Sequence, residues 1–305
     1  TGQNTLNARL VNNGSGALTF QKTGTSTWVL GNQTNSYTGS TSINGGVLIV
    51  SKMADYGTDS SIGKGTAGTA ITFDNSGALV YTGGGDDTDR QFRTVRDGVI
   101  INNGTGALNF TAAGNLNQQN SVTLARGLTF GGTNGGKISG ALQNNTGSAP
   151  NLNVSKIGTG TWTLGATNTH TGTTGVNAGT LRLQSGASTI TQTLGALANQ
   201  VAEGTLNSDK SGAGSITTTF SSYTRSAGAT GNIVSTGGTN GTDNSVNITG
   251  AAGFINAGLY FGGSDFAARN AANGYVRALN YATSGGDANT CLLYTSPSPR
   301  DRQKS

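Results

Sequence analysis

The segment Thr161-Trp162-Thr163-Leu164 alternates apolar and hydroxyl side chains, so Trp162 and Leu164 share one side of an extended chain and the threonines share the other. Thr180-Leu181-Arg182-Leu183 repeats the alternation, with Arg182 turned to water. Between such runs lie Asn44-Gly45-Gly46 and Asn177-Ala178-Gly179, residues that accept the positive φ of a tight corner. Short half-buried strands joined by tight corners predict a chain that coils. Each coil points its backbone N–H and C=O groups up and down the axis, so adjacent coils, about 4.8 Å apart, must satisfy one another. The expected fold is all-β, a right-handed parallel β-helix (β-solenoid), with roughly 20 to 25 residues per coil and about a dozen coils. An antiparallel sandwich or barrel is the competing arrangement, and Asn240-Gly241 supplies a hairpin signal for it. The Ala-rich stretch Phe266 to Asn273 reads as a helical turn or a loop between strands.

Self-similarity strengthens the coil. Lys22 to Val50 (KTGTSTWVLGNQTNSYTGSTSINGGVLIV) aligns with Lys156 to Leu183 (KIGTGTWTLGATNTHTGTTGVNAGTLRL) through a one-residue gap near Thr34. Lys22/Lys156, Gly24/Gly158, Asn35/Asn168 and Gly39/Gly172 are identical, and both tryptophans of the chain occupy one repeat position. The positions expected to carry the stack are Trp28, Leu30, Gly46 and Leu48, with Trp162, Leu164, Gly179 and Leu181 as their counterparts. A second unit, NNGSGALTF at Asn12 to Phe20, matches NNGTGALNF at Asn102 to Phe110, with a weaker copy at Asn75 to Tyr81. Phe-Gly-Gly closes strands at Phe130 to Gly132 and Phe261 to Gly263. The expected organisation is β-helix repeats over 1–214, an irregular β-rich continuation over 215–290, and a tail over 291–305.

Composition acts mainly by exclusion. Of 305 residues 51 are Gly, 10% are charged and Glu203 is the sole glutamate, which removes ordinary helical domains, because Gly costs roughly 1 kcal/mol against Ala inside a helix. Recurrent Thr, Val and Ile argue against disorder. Cys291 to Ser305 holds the single cysteine and two of the three prolines, and Cys291 to Asp301 resembles a translated sequencing adapter, so this tail is set aside as non-native. Without it the 18 basic and 13 acidic residues become 15 and 12, and the net charge drops from +5 to +3. The remaining cations, such as Arg9, Lys52, Lys137 and Arg225, are scattered, and no nucleic-acid partner is expected. No apolar run approaches the length of a membrane-spanning helix. Thr1 is read as a cut within a longer protein.

Candidate chemistry is sparse, and no cofactor is expected. Gly63-Lys64-Gly65-Thr66-Ala67-Gly68 fits a dinucleotide glycine pattern, but a strand-like run, Ala70 to Phe73, follows where a helix is needed. Gly131 to Lys137 approaches a phosphate loop, yet Ile138 stands where Ser or Thr must bind magnesium, so it reads as a turn. His170, the only histidine, replaces Tyr37 of the sister repeat and is expected as a stacked or hydrogen-bonded surface ring. The densest charge cluster runs from Gly85 to Asp97. Asp86, Asp87 and Asp89 are its candidate calcium ligands, while Asp87 and Arg93 are the residues that a carbohydrate lyase or hydrolase would use. A solvated loop with local ion pairs is the alternative reading of the same cluster.

The two long copies resemble the autotransporter-associated β-strand repeat, whose pattern runs Lys-x-Gly-x-Gly-Thr-Leu-Thr-Leu, then Asn-Thr-Tyr-Thr-Gly, then Thr-Ile-Asn-Ala-Gly-Thr-Leu. Lys156 to Leu183 follows it closely, with Trp162 in a Leu position and His170 in the Tyr position. Lys22 to Val50 departs more, with Ser26 for the second Gly and Gly45 for Ala. The resemblance covers about a fifth of the chain. It implies an exported β-helical passenger at the bacterial surface or released from it, with no catalytic residues to carry over. The function expected is a structural, adhesin-like stalk. Surface glycans or other cells are the candidate partners, and a carbohydrate-binding or carbohydrate-active β-helix is the alternative.

Overall fold

The computed structural model describes residues 2–116, 126–144, 151–281 and 287; the tail at Cys291 to Ser305 lies outside them. The described residues form thirty strands and no helix. A ten-stranded sheet climbs from Gln3–Leu6 to Tyr223–Arg225 with every neighbouring pair parallel. A second parallel stack climbs from Asp86–Thr88 to Leu259–Phe261. Two shorter parallel sheets, Phe20–Thr23 to Phe92–Thr94 and Ile190–Leu194 to Asn244–Ile248, come just before strands of the ten-stranded sheet. Taken in chain order, the short sheets, the ten-stranded sheet and the second stack make first, second and third faces of a parallel β-solenoid.

Coil length varies because loops are inserted at the corners. Val47 pairs with Thr27, 20 residues earlier, whereas Ala78 pairs with Val47, 31 residues earlier. The extra residues form the loop between Val47–Val50 and Ile71–Asp74. Alternation survives these insertions: Ile190, Gln192 and Leu194 are buried while Thr191 and Thr193 face water. The interior is narrow and continuous. Phe92, Phe110, Phe130 and Trp162, from all three faces, form an aromatic column with ring centroids 5.1 Å apart for Phe92–Phe110 and for Phe130–Trp162. Each such buried side chain stabilises by about 1.5–3 kcal/mol.

The glycine content has a physical cause at the corner between the second and third faces. A Cβ on Gly136 would lie 1.7 Å from the Leu108 carbonyl oxygen, and one on Gly160 1.9 Å from that of Asn134. Gly106 and Gly204 are confined in the same way, at 2.0 Å from Gly84 O and 2.1 Å from Val176 O. None of the four has a positive φ, so the requirement is close approach of one coil's backbone to the next.

Regular coiling continues across residue 214, since Glu203–Lys210 on the third face leads directly to Ile216–Phe220 on the first face of the next coil. Parallel order yields near Gly253. Gly262 and Gly263, at φ 68° and 83°, turn the chain back so that Asp265–Arg269 pairs antiparallel with Leu259–Phe261, Gly253–Phe254 and Val276–Ala278. Phe266 to Arg269, expected as a helical turn or loop, is therefore strand. At Phe130-Gly131-Gly132 only the last residue has positive φ, and the chain proceeds to the next face.

Candidate functional site

The repeated motif is spent on holding coils together. Lys156 Nζ donates to the carbonyls of Ile157 (2.7 Å), Gly158 (2.7 Å) and Ala178 (3.1 Å), and Lys22 Nζ makes the same clasp on Thr23, Gly24 and Gly45. Burial pulls the Lys156 pKa down to about 8, so the ammonium predominates at pH 7 and its three protons meet three carbonyls. Asn35 and Asn168 each accept from the coil below, at the amides of Leu10 (2.8 Å) and Leu142 (3.0 Å). Asn168 also meets Gln192, whose amide donates to Thr218, so a buried polar chain crosses successive coils. Gly46 and Gly179 face the carbonyls of Gly24 and Gly158, where a Cβ would sit 2.5 and 2.4 Å away.

His170 corrects the sequence reading. The ring is 0% exposed, not on the surface, with Nε2 3.0 Å from Thr174 Oγ1, just as the buried Tyr37 hydroxyl lies 2.7 Å from Thr41 Oγ1. The Tyr slot of the repeat points into the core. Burial lowers the His170 pKa from 6.5 to about 4, so the ring is neutral at pH 7. The unfolded chain takes up its proton near pH 6.5 and the folded chain only near pH 4. Stability from this site is whole above pH 6.5 and is lost as pH falls between those values, by up to about 3 kcal/mol. In urea melts His170→Tyr, the sister residue, is expected to flatten the pH 6.5 to 4 slope; an unchanged slope would place its origin elsewhere.

The two copies share local geometry but not place. Trp28 pairs with Leu48 and Trp162 with Leu181, in matching register. Trp28, however, stands on the second face and Trp162 on the third, one face further round the coil. Trp162 is 0% exposed and donates its indole N–H to Gly131 O at 2.9 Å. Trp28 is half-buried beside an open groove of about 220 Å³ that Leu6, Phe20 and Lys22 also line.

The charged stretch from Gly85 to Asp97 fastens a loop. Asp86 Oδ2 accepts from the Met53 amide (2.9 Å) and the Tyr81 hydroxyl (2.7 Å), and Asp89 Oδ1 accepts from the Tyr56 amide (2.7 Å). Asp87 points outward on the third face, bonded to Asn109 Nδ2 at 2.8 Å. Protein donors thus engage all three expected calcium ligands, and the described residues hold no group of three acidic, His or Cys side chains fit for a metal. Arg93 lies on the first face against Thr72, on a different sheet from Asp87, so the pair is not assembled into a site. Arg90 is buried, reaching Gly63 O at 2.8 Å, and Gly65 leaves room for its guanidinium. That packing explains the glycine pattern at Gly63 to Gly68, which leads into the strand Ile71–Asp74. Gly131 ends one strand and Gly136 and Lys137 open the next, with the turn at 132–135 between them.

The outer side of the third face is one surface open to a ligand. Asp87, Asn109, Lys137, Thr163, Arg182 and Asn207 stand in register on six successive rungs. Beside Thr163 and Arg182 the glycine corner leaves a groove of about 490 Å³, which Asn134, Gly135, Thr159 and Thr161 also line. Lys137 Nζ leans across Gly165 to Gln184 Oε1 (2.9 Å), and Gln184 in turn donates to Asp209 Oδ2 (2.9 Å). The alternation exposed Arg182, but the partnership of Lys137, Thr163 and Arg182 was hidden, because it depends on uneven coil lengths.

Residues 20–50 and 154–183 match the family described as passenger-associated-transport-repeat. They are the two copies whose lysine clasps and interior rings are described above. The chain is an autotransporter-passenger-like repeat protein. Over 156 residues this passenger-like chain is 41% identical to the Adhesin BmaC autotransporter of Brucella suis biovar 1 (strain 1330), a stretch that is 48% of the chain and 4% of that protein. It therefore spans a small part of the curated relative it matches. No solved structure matches it. The likeness supports a place outside the cell, at or beyond the bacterial surface. Among the described residues of the passenger-like chain no helix is long and apolar enough to cross a membrane.

Proposed function

We propose that this chain is a length of a surface-displayed adhesin-like rod, which extends binding segments away from the cell and adds weak, repeated contacts of its own. The observation that carries this reading is the unbroken parallel stack of ten strands bearing two passenger-associated repeats, whose conserved chemistry between copies is structural. At about 4.8 Å per rung, ten rungs rise roughly 45 Å, and a longer protein of the same construction would rise in proportion. Many weak contacts on such a rod combine into useful avidity. On this reading the chain has no catalytic role, which its similarity to an adhesin supports. Beads coated with the purified chain are expected to be retained on cultured epithelial cells or extracellular matrix above albumin-coated beads, saturably and in competition with free chain. Retention no greater than albumin on every surface would remove the adhesive part of the reading.

A further inference from the structure

The groove on the third face holds two polar groups whose hydrogen bonding is incomplete. Thr163 is 8% exposed, and its hydroxyl finds no partner among the described residues. Arg182 Nε is buried and makes no hydrogen bond; Asp209 Oδ2, the acid beside it, stands 3.9 Å away, outside hydrogen-bond reach, and is itself engaged by Gln184. Leaving a buried donor unmet costs about 1–3 kcal/mol, so buried polar groups are normally paired; Arg182 Nε lacks such a partner, and the Thr163 hydroxyl, which no group among the described residues engages, is open to the groove. Both line one groove, and they are direct neighbours across adjacent rungs.

The lining selects the ligand. Apart from Ala107 it consists of Thr, Asn, Gly and Arg, so it offers hydroxyls, amides and backbone groups and no apolar pocket for a peptide side chain. Nor does it present a free strand edge for an added peptide strand, because neighbouring coils pair the strands on both sides of the site: Gly136–Ile138 below Thr161–Leu164 and Gly179–Ser185 above. Hydroxyl-rich ligands suit such a surface. A guanidinium fork with open valences suits a carboxylate, which it can grip bidentately. The corner continues from rung to rung, which favours a linear polymer laid along the axis.

We infer that this groove binds an acidic polysaccharide, with Arg182 holding a uronate carboxylate, the Thr163 hydroxyl donating to the same residue of the sugar chain, and Asn134, Thr159 and Thr161 meeting its hydroxyls. Lys137, one rung below Thr163, adds positive potential. The inference rests on the surface-display reading for access to such chains, and the two can fail separately.

The test is calorimetric titration of the full 305-residue chain with oligogalacturonate, its methyl ester and polyglutamate. Oligogalacturonate is expected to bind at least tenfold more tightly than the ester, with affinity falling as salt rises. Arg182→Gln should weaken binding at least tenfold. Thr163→Val, which keeps the shape of the side chain, should weaken it severalfold, and unchanged circular dichroism would confirm that each variant folds. Equal affinity for acid and ester, binding unaltered in both variants, or no binding by the folded chain would overturn the assignment. Polyglutamate binding as tightly as oligogalacturonate would also overturn it, in favour of an acidic-peptide site. Beads that adhere equally well with Arg182→Gln would leave the adhesive rod standing without this groove, whereas uronate binding without adhesion would do the reverse.

Discussion

Gly136→Ala is expected to destabilise the chain by about 3 kcal/mol or more. The added methyl would lie 1.7 Å from the Leu108 carbonyl oxygen, an atom of the preceding coil's backbone that no rotamer change can move. The coil must lift, and lifting it lengthens the parallel bonds that join Leu108–Phe110 to Gly136–Ile138. Overpacking of this kind costs typically 1–3 kcal/mol and more when backbone must shift. Gly186→Ala is the control. Its new Cβ meets nothing within 4 Å and its φ is not left-handed, so a change within about 1 kcal/mol of zero, of either sign, is expected there. Urea melts of the two variants, with amide exchange in the strands at Leu108–Phe110 and Gly136–Ile138, check the pair. Equal melts would refute close approach as the reason for glycine at this corner.

Trp162→Ala should cost about 4 kcal/mol, within the range for truncating a fully buried aromatic ring. The ring packs on Phe130 at 5.1 Å, and its loss also leaves Gly131 O without the indole donor. Trp28→Ala should cost less than half as much, because that ring is half-buried beside an open groove. Thermal or urea denaturation of the two variants measures the difference. Equal losses would mean that the two rings sit in like surroundings despite their different faces.

The strand pattern was legible because its cause is local. Trp162 and Leu164 point inward because successive side chains of an extended chain alternate, and no tertiary information is needed for that. The repeat alignment likewise marked Lys22 and Lys156, Asn35 and Asn168, Gly46 and Gly179 as equivalent, and each pair performs the same task in the two copies. Their tasks were not legible, since a lysine clasp on three carbonyls depends on where the next coil's corner falls. His170 was misread for the same reason: the face that a ring takes after a corner is set by the corner's backbone. Asp86, Asp87 and Asp89 lie close in sequence, yet they divide among the Met53 amide, Asn109 and the Tyr56 amide, because strand alternation and a returning loop separate neighbours. The third-face groove left almost no trace in the sequence. Lys137, Thr163 and Arg182 become neighbours through spacings of 26 and 19 residues, and nothing in the chain announces that these two intervals each close one turn.

By itself, then, the amino-acid sequence determined that short strands alternate with glycine corners, that coils repeat, and that two stretches are built alike. These follow from side-chain alternation, turn chemistry and identity between copies, all of which act over a few residues. Only the tertiary structure decided which face each copy occupies, where the parallel stack gives way to antiparallel strands, and which outward side chains meet. Those outcomes depend on the length of every intervening loop, because a loop inserted at a corner changes which residues of successive coils come to lie side by side.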